Sequence, residues 1–263
     1  MSPTSPMSQT IQTNQALLTG AAPNAVRPLR LGTPHLPALL VENVDRYRVR
    51  GSAVVINPHP DPVPLDVSPP VVIPPLSSTI VRDTVIVSAP SVVLVATSDA
   101  PAADVIRDPG WHLLGDLMGP PAADGTGGFP RDVPLWKGPQ DAAGTVLLDA
   151  PHLLGERPDR RPGEPYELRV NLWYAPAGTD CAIHNRHDFI EVHTQITGTG
   201  RMQKFHAPDH ASLYQDIPMA PGYTTPQPFC RTNPDGGYLY PWHQYRADTD
   251  CVWLAVEYHL PAR

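Results

Sequence analysis

Three things are scarce in this 263-residue chain, and each scarcity excludes something. No apolar run approaches the length of a membrane span, so no helical membrane anchor and no membrane partner is expected. Basic residues form no stripe, lysine occurs only as Lys137 and Lys204, and the formal net charge is −7, so a nucleic-acid partner is not expected. Cysteine is limited to Cys181, Cys230 and Cys251. An odd set without a C-x-x-C pair suits a reducing compartment and offers neither a disulfide framework nor a thiolate zinc site. The expected role of all three is that of small buried apolar residues. The first residues also lack the basic-then-apolar pattern of an export signal, so the expected compartment is the cytoplasm.

A fourth scarcity concerns periodicity. No long segment repeats its apolar residues at 3.6-residue spacing, and no helical pair of the DNA-binding kind is visible. Proline is abundant instead, with 35 in the chain. Proline is excluded from helix interiors and central strands, so this number argues for short strands joined by rigid turns. Between residues 31 and 100, Ala38–Val41, Tyr47–Arg50, Ala53–Ile56, Val71–Ile73, Thr79–Val81, Thr84–Val87 and Val92–Val95 are short β-favouring runs separated by Pro, Gly, Asn or Asp. Residues 1–30, rich in Ser, Thr, Gln, Asn, Ala and Pro, read as a flexible arm. Residues 101–164 read as a Pro/Gly-rich connection packed over a barrel, with short helical turns around 102–107 and 111–118. Strands resume in 165–263, first at Glu167–Tyr174, whose strict alternation marks one buried face, then at Phe189–Ile196, Arg201–Phe205, Tyr238–Arg246 and Cys251–His259. The expected fold class is all-β.

The dense chemistry lies in that last region. His184, His187, Glu191 and His243 offer three imidazoles and a carboxylate, a ligand set suited to Fe(II), Mn, Ni, Co or Zn. His193 shares strand parity with Glu191 and Gln195, so it is either a ligand in place of His184 or a proton-handling neighbour. Tyr245 follows His243 on the same face as a second proton-handling candidate. Arg169, Asn171 and Trp173 share one face of their strand. If that face lines a cavity, Arg169 meets an anionic or carbonyl oxygen of a substrate, and if it faces water it is an exposed charge. Gln195 and Arg201 are substrate-binding candidates on parity alone. The remaining histidines, His35, His59, His112, His152, His206, His210 and His259, are expected to be structural or at the surface.

The segment from His184 to Gly200 resembles the first motif of the cupin superfamily, in which H-x-H is followed after three or four residues by Glu and after six more by Gly. Here Glu191 and Gly198 keep the second spacing, and His187 or His184 keeps the first. The departure lies between the histidines, where two residues intervene instead of one. A regular strand would put them on opposite faces, so a bulge or turn must bring both inward, or one is no ligand. Pro241-Trp242-His243 and the strand that closes the chain resemble the second cupin motif. Met219-Ala220-Pro221-Gly222 also has its Pro-Gly, but Thr225 stands where the histidine belongs.

The resemblance covers roughly residues 165–260 and implies a double-stranded β-helix, or jelly-roll barrel, around a divalent transition metal, with Fe(II) the leading choice. The N-terminal run of strands reads either as a degenerate first barrel without metal, giving two barrels in one chain, or as strands that augment one barrel or mediate a homodimer. The function implied is a mononuclear non-haem metal enzyme, foremost a dioxygenase acting on a small organic substrate. The alternatives are a metal-assisted isomerase, cyclase or lyase, and a non-catalytic small-molecule-binding cupin, because the fold does not fix the reaction.

Overall fold

The computed structural model of the chain describes residues 22–121, 127–225, 228–234 and 236–261. Most of the expected arm, residues 1–21, lies outside them. The rest of it does not behave as an arm: β1 (Ala25–Pro28) pairs antiparallel with β2 (Ala38–Arg48). The N-terminal sheet continues with β3 (Ser52–Asn57), β4 (Val63–Leu65), β5 (Val71–Ile73), β6 (Ser77–Arg82) and β7 (Val85–Ala96). Its order is β1-β2-β7-β3-β6, with β4 bonded to β5 and β7.

Both faces are buried at the centre of this sheet, in β3 and the second half of β7, which is why those segments read as continuous β-branched runs. Val41, Ala53, Val55, Val92 and Leu94 point into an apolar cluster that belongs to the N-terminal half alone. Their neighbours Leu40, Val54, Ile56, Val93 and Val95 point the other way, into a cluster shared with the C-terminal half. The N-terminal strands therefore form a second layer on the site-bearing half, with an apolar centre of their own.

The C-terminal half holds β8 (His112–Leu113), β9 (Trp136–Leu148), β10 (Glu164–Ala175), β11 (Ile190–Thr197), β12 (Gly200–Phe205), β13 (Leu213–Met219), β14 (Arg231–Thr232), β15 (Tyr238–Leu239), β16 (Trp242–Ala247) and β17 (Cys251–His259). A five-stranded antiparallel sheet has the order β11-β17-β10-β9-β8, a three-stranded one the order β13-β12-β16, and β14 and β15 form a ribbon. This is the all-β, antiparallel jelly-roll architecture expected from the sequence. The turns expected near 102–107 and 111–118 appear as a 3-10 turn at Ala102–Arg107 and a short helix at Leu114–Met118.

One expectation fails. Residues 101–164 are not merely a connection, because β9 is a full member of the five-stranded sheet and pairs with β10 along its length. Its sequence hides this. Gly138, Pro139 and Gly144 sit inside it, and the pairing slips at two places, between Glu167 and Arg169 and between Asn171 and Trp173. Bulges at those positions break the alternation by which a strand is recognised.

Alternation in the five-stranded sheet separates two chemistries. Leu168, Val170 and Leu172 of β10, Val192 and Ile196 of β11, and Leu254 and Val256 of β17 face the shared core. Each buried Val, Leu or Ile there contributes about 1.5–3 kcal/mol. The residues between them, Asn171, Glu191, His193, Gln195, Trp253 and Glu257, face the opposite side, and all of them are buried. That polar inner face looks toward the three-stranded sheet and carries the site.

Gly198 turns the chain from β11 into β12 with a φ of +73°, and a Cβ there would overlap the Asp250 carbonyl oxygen. Gly198→Ala should therefore lower stability by more than about 1 kcal/mol, read as a reduced urea midpoint. An unchanged midpoint would show that the turn adapts freely.

Candidate metal centre

Two of the four expected ligands come from regular strands and two from a loop. Glu191 is the second residue of β11 and His243 the second of β16. His184 and His187 lie in the segment between β10 and β11, which is not a regular strand. The spacing problem between them is solved there. Ala182 takes a left-handed φ of +62°, and His184 forms a reciprocal pair with His243, N–H to carbonyl at 2.9 and 2.8 Å. The turn that follows brings His187 in from the other side.

The three rings converge. His187 Nε2 lies 3.0 Å from His184 Nε2 and 3.1 Å from His243 Nε2. All three ligand atoms fall within 4.8 Å of one another. Glu191 reaches two of them, with Oε1 3.3 Å from His187 Nε2 and 4.0 Å from His243 Nε2. Its other oxygen, Oε2, is 3.3 Å from His193 Nε2. The geometry thus gathers His184 with the nitrogen cluster and leaves His193 on the far side of the carboxylate.

Proton accounting shows what this cluster suits. His184 Nδ1 lies 3.0 Å from the Ala182 carbonyl and His243 Nδ1 lies 2.9 Å from the Pro241 carbonyl. A carbonyl only accepts, so both Nδ1 atoms donate and both Nε2 atoms of the neutral rings present bare lone pairs. His187 has at most one proton to offer between them. Burial, reinforced by the neighbouring imidazoles, holds the His184 pKa below its usual value and that of His243 well below it. Burial pushes the Glu191 carboxyl up, but His187, His193 and His243 together outweigh it and hold the group below the usual carboxylate range. Neutral imidazoles with tethered Nδ1 atoms and an ionised carboxylate fit a divalent cation.

Aromatic side chains that the sequence reading did not single out enclose the cluster. Tyr240 donates to the Phe189 carbonyl at 2.9 Å, accepts from the Glu191 N–H at 3.1 Å, and packs edge-on against His187. Phe229 stands edge-on to His243 with centroids 4.8 Å apart. Buried Glu257 lies directly across from Glu191 in the β11–β17 pairing. It accepts from Asn171 Nδ2 and Gln140 Nε2, each at 2.7 Å. The sequence reading did not single out Glu257; the one signal for it is the strand parity it shares with Trp253, and its burial depends on β9.

The other candidates fare differently. Gln195 is buried, but its amide is taken up internally, donating to the Thr197 carbonyl at 2.7 Å and accepting from the Tyr245 hydroxyl. Tyr245 is stacked on Trp253, with centroids 3.9 Å apart. Burial raises its phenol well above the usual value, and among the described residues it makes no contact with the histidines. Arg169 pairs with Glu167 at 3.1 Å with 42% of its side chain in water, so it sits at the solvated end of the polar face. Arg201 is on the outer face of β12, bound to Asp216 at 2.7 Å and Asp248 at 2.8 Å. The inner positions of that strand are Met202 and Lys204.

Met202 and Lys204 line a cavity of about 250 Å³ together with Gln215, Ile217, Thr225, Pro228 and Phe229. Thr225, which stands where the alternative second motif needed a histidine, bonds to the His193 backbone in both directions. Through Thr225 and Phe229 the cavity abuts the histidine cluster.

No family model matches this sequence, and no curated protein matches it. Similar solved structures include an RmlC-like cupin protein from Desulfovibrio desulfuricans, at 16% identity over 35% of this chain and 71% of that one, with a TM-score of 0.25. Ectoine synthase from P. lautus is similar at 17% identity over 35% of this chain and 53% of its own, and a cupin domain from Bordetella pertussis at 17% over 39% and 86%, both with a TM-score of 0.25. The matched part thus spans about half the length of the synthase. These are cupin-type structures, the superfamily whose motifs the sequence resembles. A likeness of this extent leaves the site to be argued from its own geometry.

Two outcomes follow from that geometry. His243→Ala should abolish metal retention measured by mass spectrometry, and Glu191→Gln should weaken it less, since the three imidazoles define the centre. Equal metal content in His243→Ala and the parent would move the centre elsewhere. The second concerns pH. The usual His value is 6.5; in the fold His184 and His243 lie below it, and buried His59 is lowered to about 4. From pH 6.5 downward the unfolded chain therefore binds more protons than the fold, and the metal-free protein should lose stability as pH falls from 6.5 toward 4. A flat urea midpoint across that window would contradict the neutral-imidazole assignment.

Proposed function

We propose that this chain is a mononuclear metal-dependent enzyme in which His184, His187, Glu191 and His243 hold a divalent transition metal. The observation that carries the reading is the meeting of three Nε2 atoms, one on buried His243 and two on half-buried His184 and His187, at 3.0–3.1 Å contacts with too few protons to satisfy them. Fe(II) and an O2-dependent reaction on a small organic substrate form the leading version, supported by a donor set of neutral nitrogens and one carboxylate. Such an ion supplies Lewis acidity and, as iron, electrons for O2.

The chain's own residues supply the rest. The Ala182 and Pro241 carbonyls fix the orientation of two imidazoles. Phe189, Phe229 and Tyr240 keep water from the cluster on their sides. His193 is the residue placed to move a proton: its Nε2 faces Glu191, and its buried Nδ1 has no partner among the described residues. Tyr245, with its hydroxyl committed to Gln195, is a positioning residue in this reading, not the proton carrier. The redox-neutral version, an isomerase, cyclase or lyase, would use the same His193 to move a proton on the substrate, with the ion, when bound, supplying Lewis acidity.

Oxygen uptake separates the two versions. Protein reconstituted anaerobically with Fe(II) and challenged with small organic acids and carbonyl compounds should consume O2 with at least one of them. In His193→Gln uptake should fall about 100-fold with metal content intact. Substrate conversion without O2 uptake would replace the oxygenase by the redox-neutral version. Failure to retain any divalent metal would overturn both.

A further inference from the structure

Lys204 is one of only two lysines in the chain, and it is set on an inner face. Several arginines are paired with carboxylates: Arg201 with Asp216 and Asp248, Arg246 with Asp180, Arg157 with Asp149, Arg160 with Asp61. Lys204 makes no ion pair among the described residues. Its Nζ stands 4.9 Å from the centroid of Phe229. The same ring lies 4.8 Å from that of His243, and Lys204 and His243 are direct partners across β12 and β16. One aromatic ring therefore separates a half-buried ammonium from the metal cluster, with the cavity of about 250 Å³ beside it.

We propose that Lys204 is the anion-binding residue of this cavity and that the substrates are small organic carboxylates. This deepens the metal-enzyme reading and rests on it for the reaction, though not for the binding. The cavity is too small for a nucleotide or an extended chain, and its apolar wall of Met202, Ile217, Pro228 and Phe229 suits a short carbon skeleton. A single ammonium with Gln215 and Thr225 nearby balances one carboxylate. A phosphate dianion calls for more donors than these three side chains present. Burial lowers the Lys204 pKa from its usual value, while contact with an aromatic face favours the charged form and orients the amine before a ligand arrives. The competing reading is that Lys204 simply caps Phe229.

Calorimetric titration of the full chain decides between them, in the metal-loaded and the chelator-stripped forms. The probes are acetate, lactate, pyruvate, propane-1,2-diol and inorganic phosphate. At least one carboxylate should bind, and propane-1,2-diol should bind about tenfold more weakly or worse than lactate. Lys204→Met should lose about tenfold or more of the carboxylate affinity, and Lys204→Arg should recover part of it, both with the parent's metal content and urea midpoint. Equal carboxylate affinity in the parent and Lys204→Met, or no carboxylate binding at all, overturns the proposal. Phosphate binding more tightly than every carboxylate overturns the assigned class. Absence of metal in all forms would remove the metal-enzyme reading alone, because Lys204-dependent carboxylate binding is still measured in the stripped protein.

Discussion

A lone pair does not satisfy another lone pair, and this constraint governs the centre of the molecule. His184 and His243 spend their Nδ1 protons on backbone carbonyls and direct bare Nε2 atoms at His187, 3.0 and 3.1 Å away. Each buried polar atom left unpaired costs about 1–3 kcal/mol, so the cluster is a local debt that the fold carries until a cation is bound. On the proposed reading, binding a cation would satisfy these lone pairs and so stabilise the fold that assembles them.

That debt is tolerable because the scaffold does not depend on it. The five-stranded sheet turns Leu168, Val170, Leu172, Val192, Leu254 and Val256 toward a core shared with the N-terminal sheet. The N-terminal sheet in turn is held from behind by its own cluster around Val55, Val92 and Leu94. Polar residues between the apolar ones are thereby pinned in place on the opposite face. Glu191 and His193 are rigid because Val192 between them, and Ile190 and Thr194 on either side, are fully or nearly fully buried. The left-handed Ala182 and the loop carrying His184 and His187 are anchored to this frame through the backbone pair with His243.

How much of this was legible follows from which signals are local. Strands with plain alternation, such as β10 and β17, could be read directly from the sequence. So could the grouping of His184, His187 and Glu191, because the residue types and the glycine at 198 are local, while His243 was added through its resemblance to a second motif. β9 was not legible: Gly138, Pro139 and Gly144 interrupt it, and only its pairing with β10 shows it to be a strand. With β9 unseen, Gln140 and the buried state of Glu257 were invisible too. Parity alone also misjudged the arginines. Arg201 and Lys204 sit three apart on one strand and so on opposite faces, and nothing in the sequence said which face was the inner one. Tyr240 and Phe229 come from the segment between β13 and β16, whose position over the histidines is a matter of tertiary contact.

Charge sets the last limit on what the site accepts. A divalent ion held by three neutral imidazoles and Glu191 would retain one net positive charge, and Lys204 would add a second across the Phe229 ring. Glu257, with its carboxylate engaged by Asn171, Gln140 and His259, the last at 2.8 Å, is not among the residues that line the Lys204 cavity. In a half-enclosed cavity of low polarisability such an excess is costly when empty and favourable when one anion enters. The chain as a whole is acidic, with a net charge of −7, so the attraction is confined to the cavity and does not extend over the surface. A monocarboxylate would neutralise part of that excess. Under the proposed assignment, the charge balance and the unsatisfied lone pairs would favour the same occupants: a metal first, then a small acid.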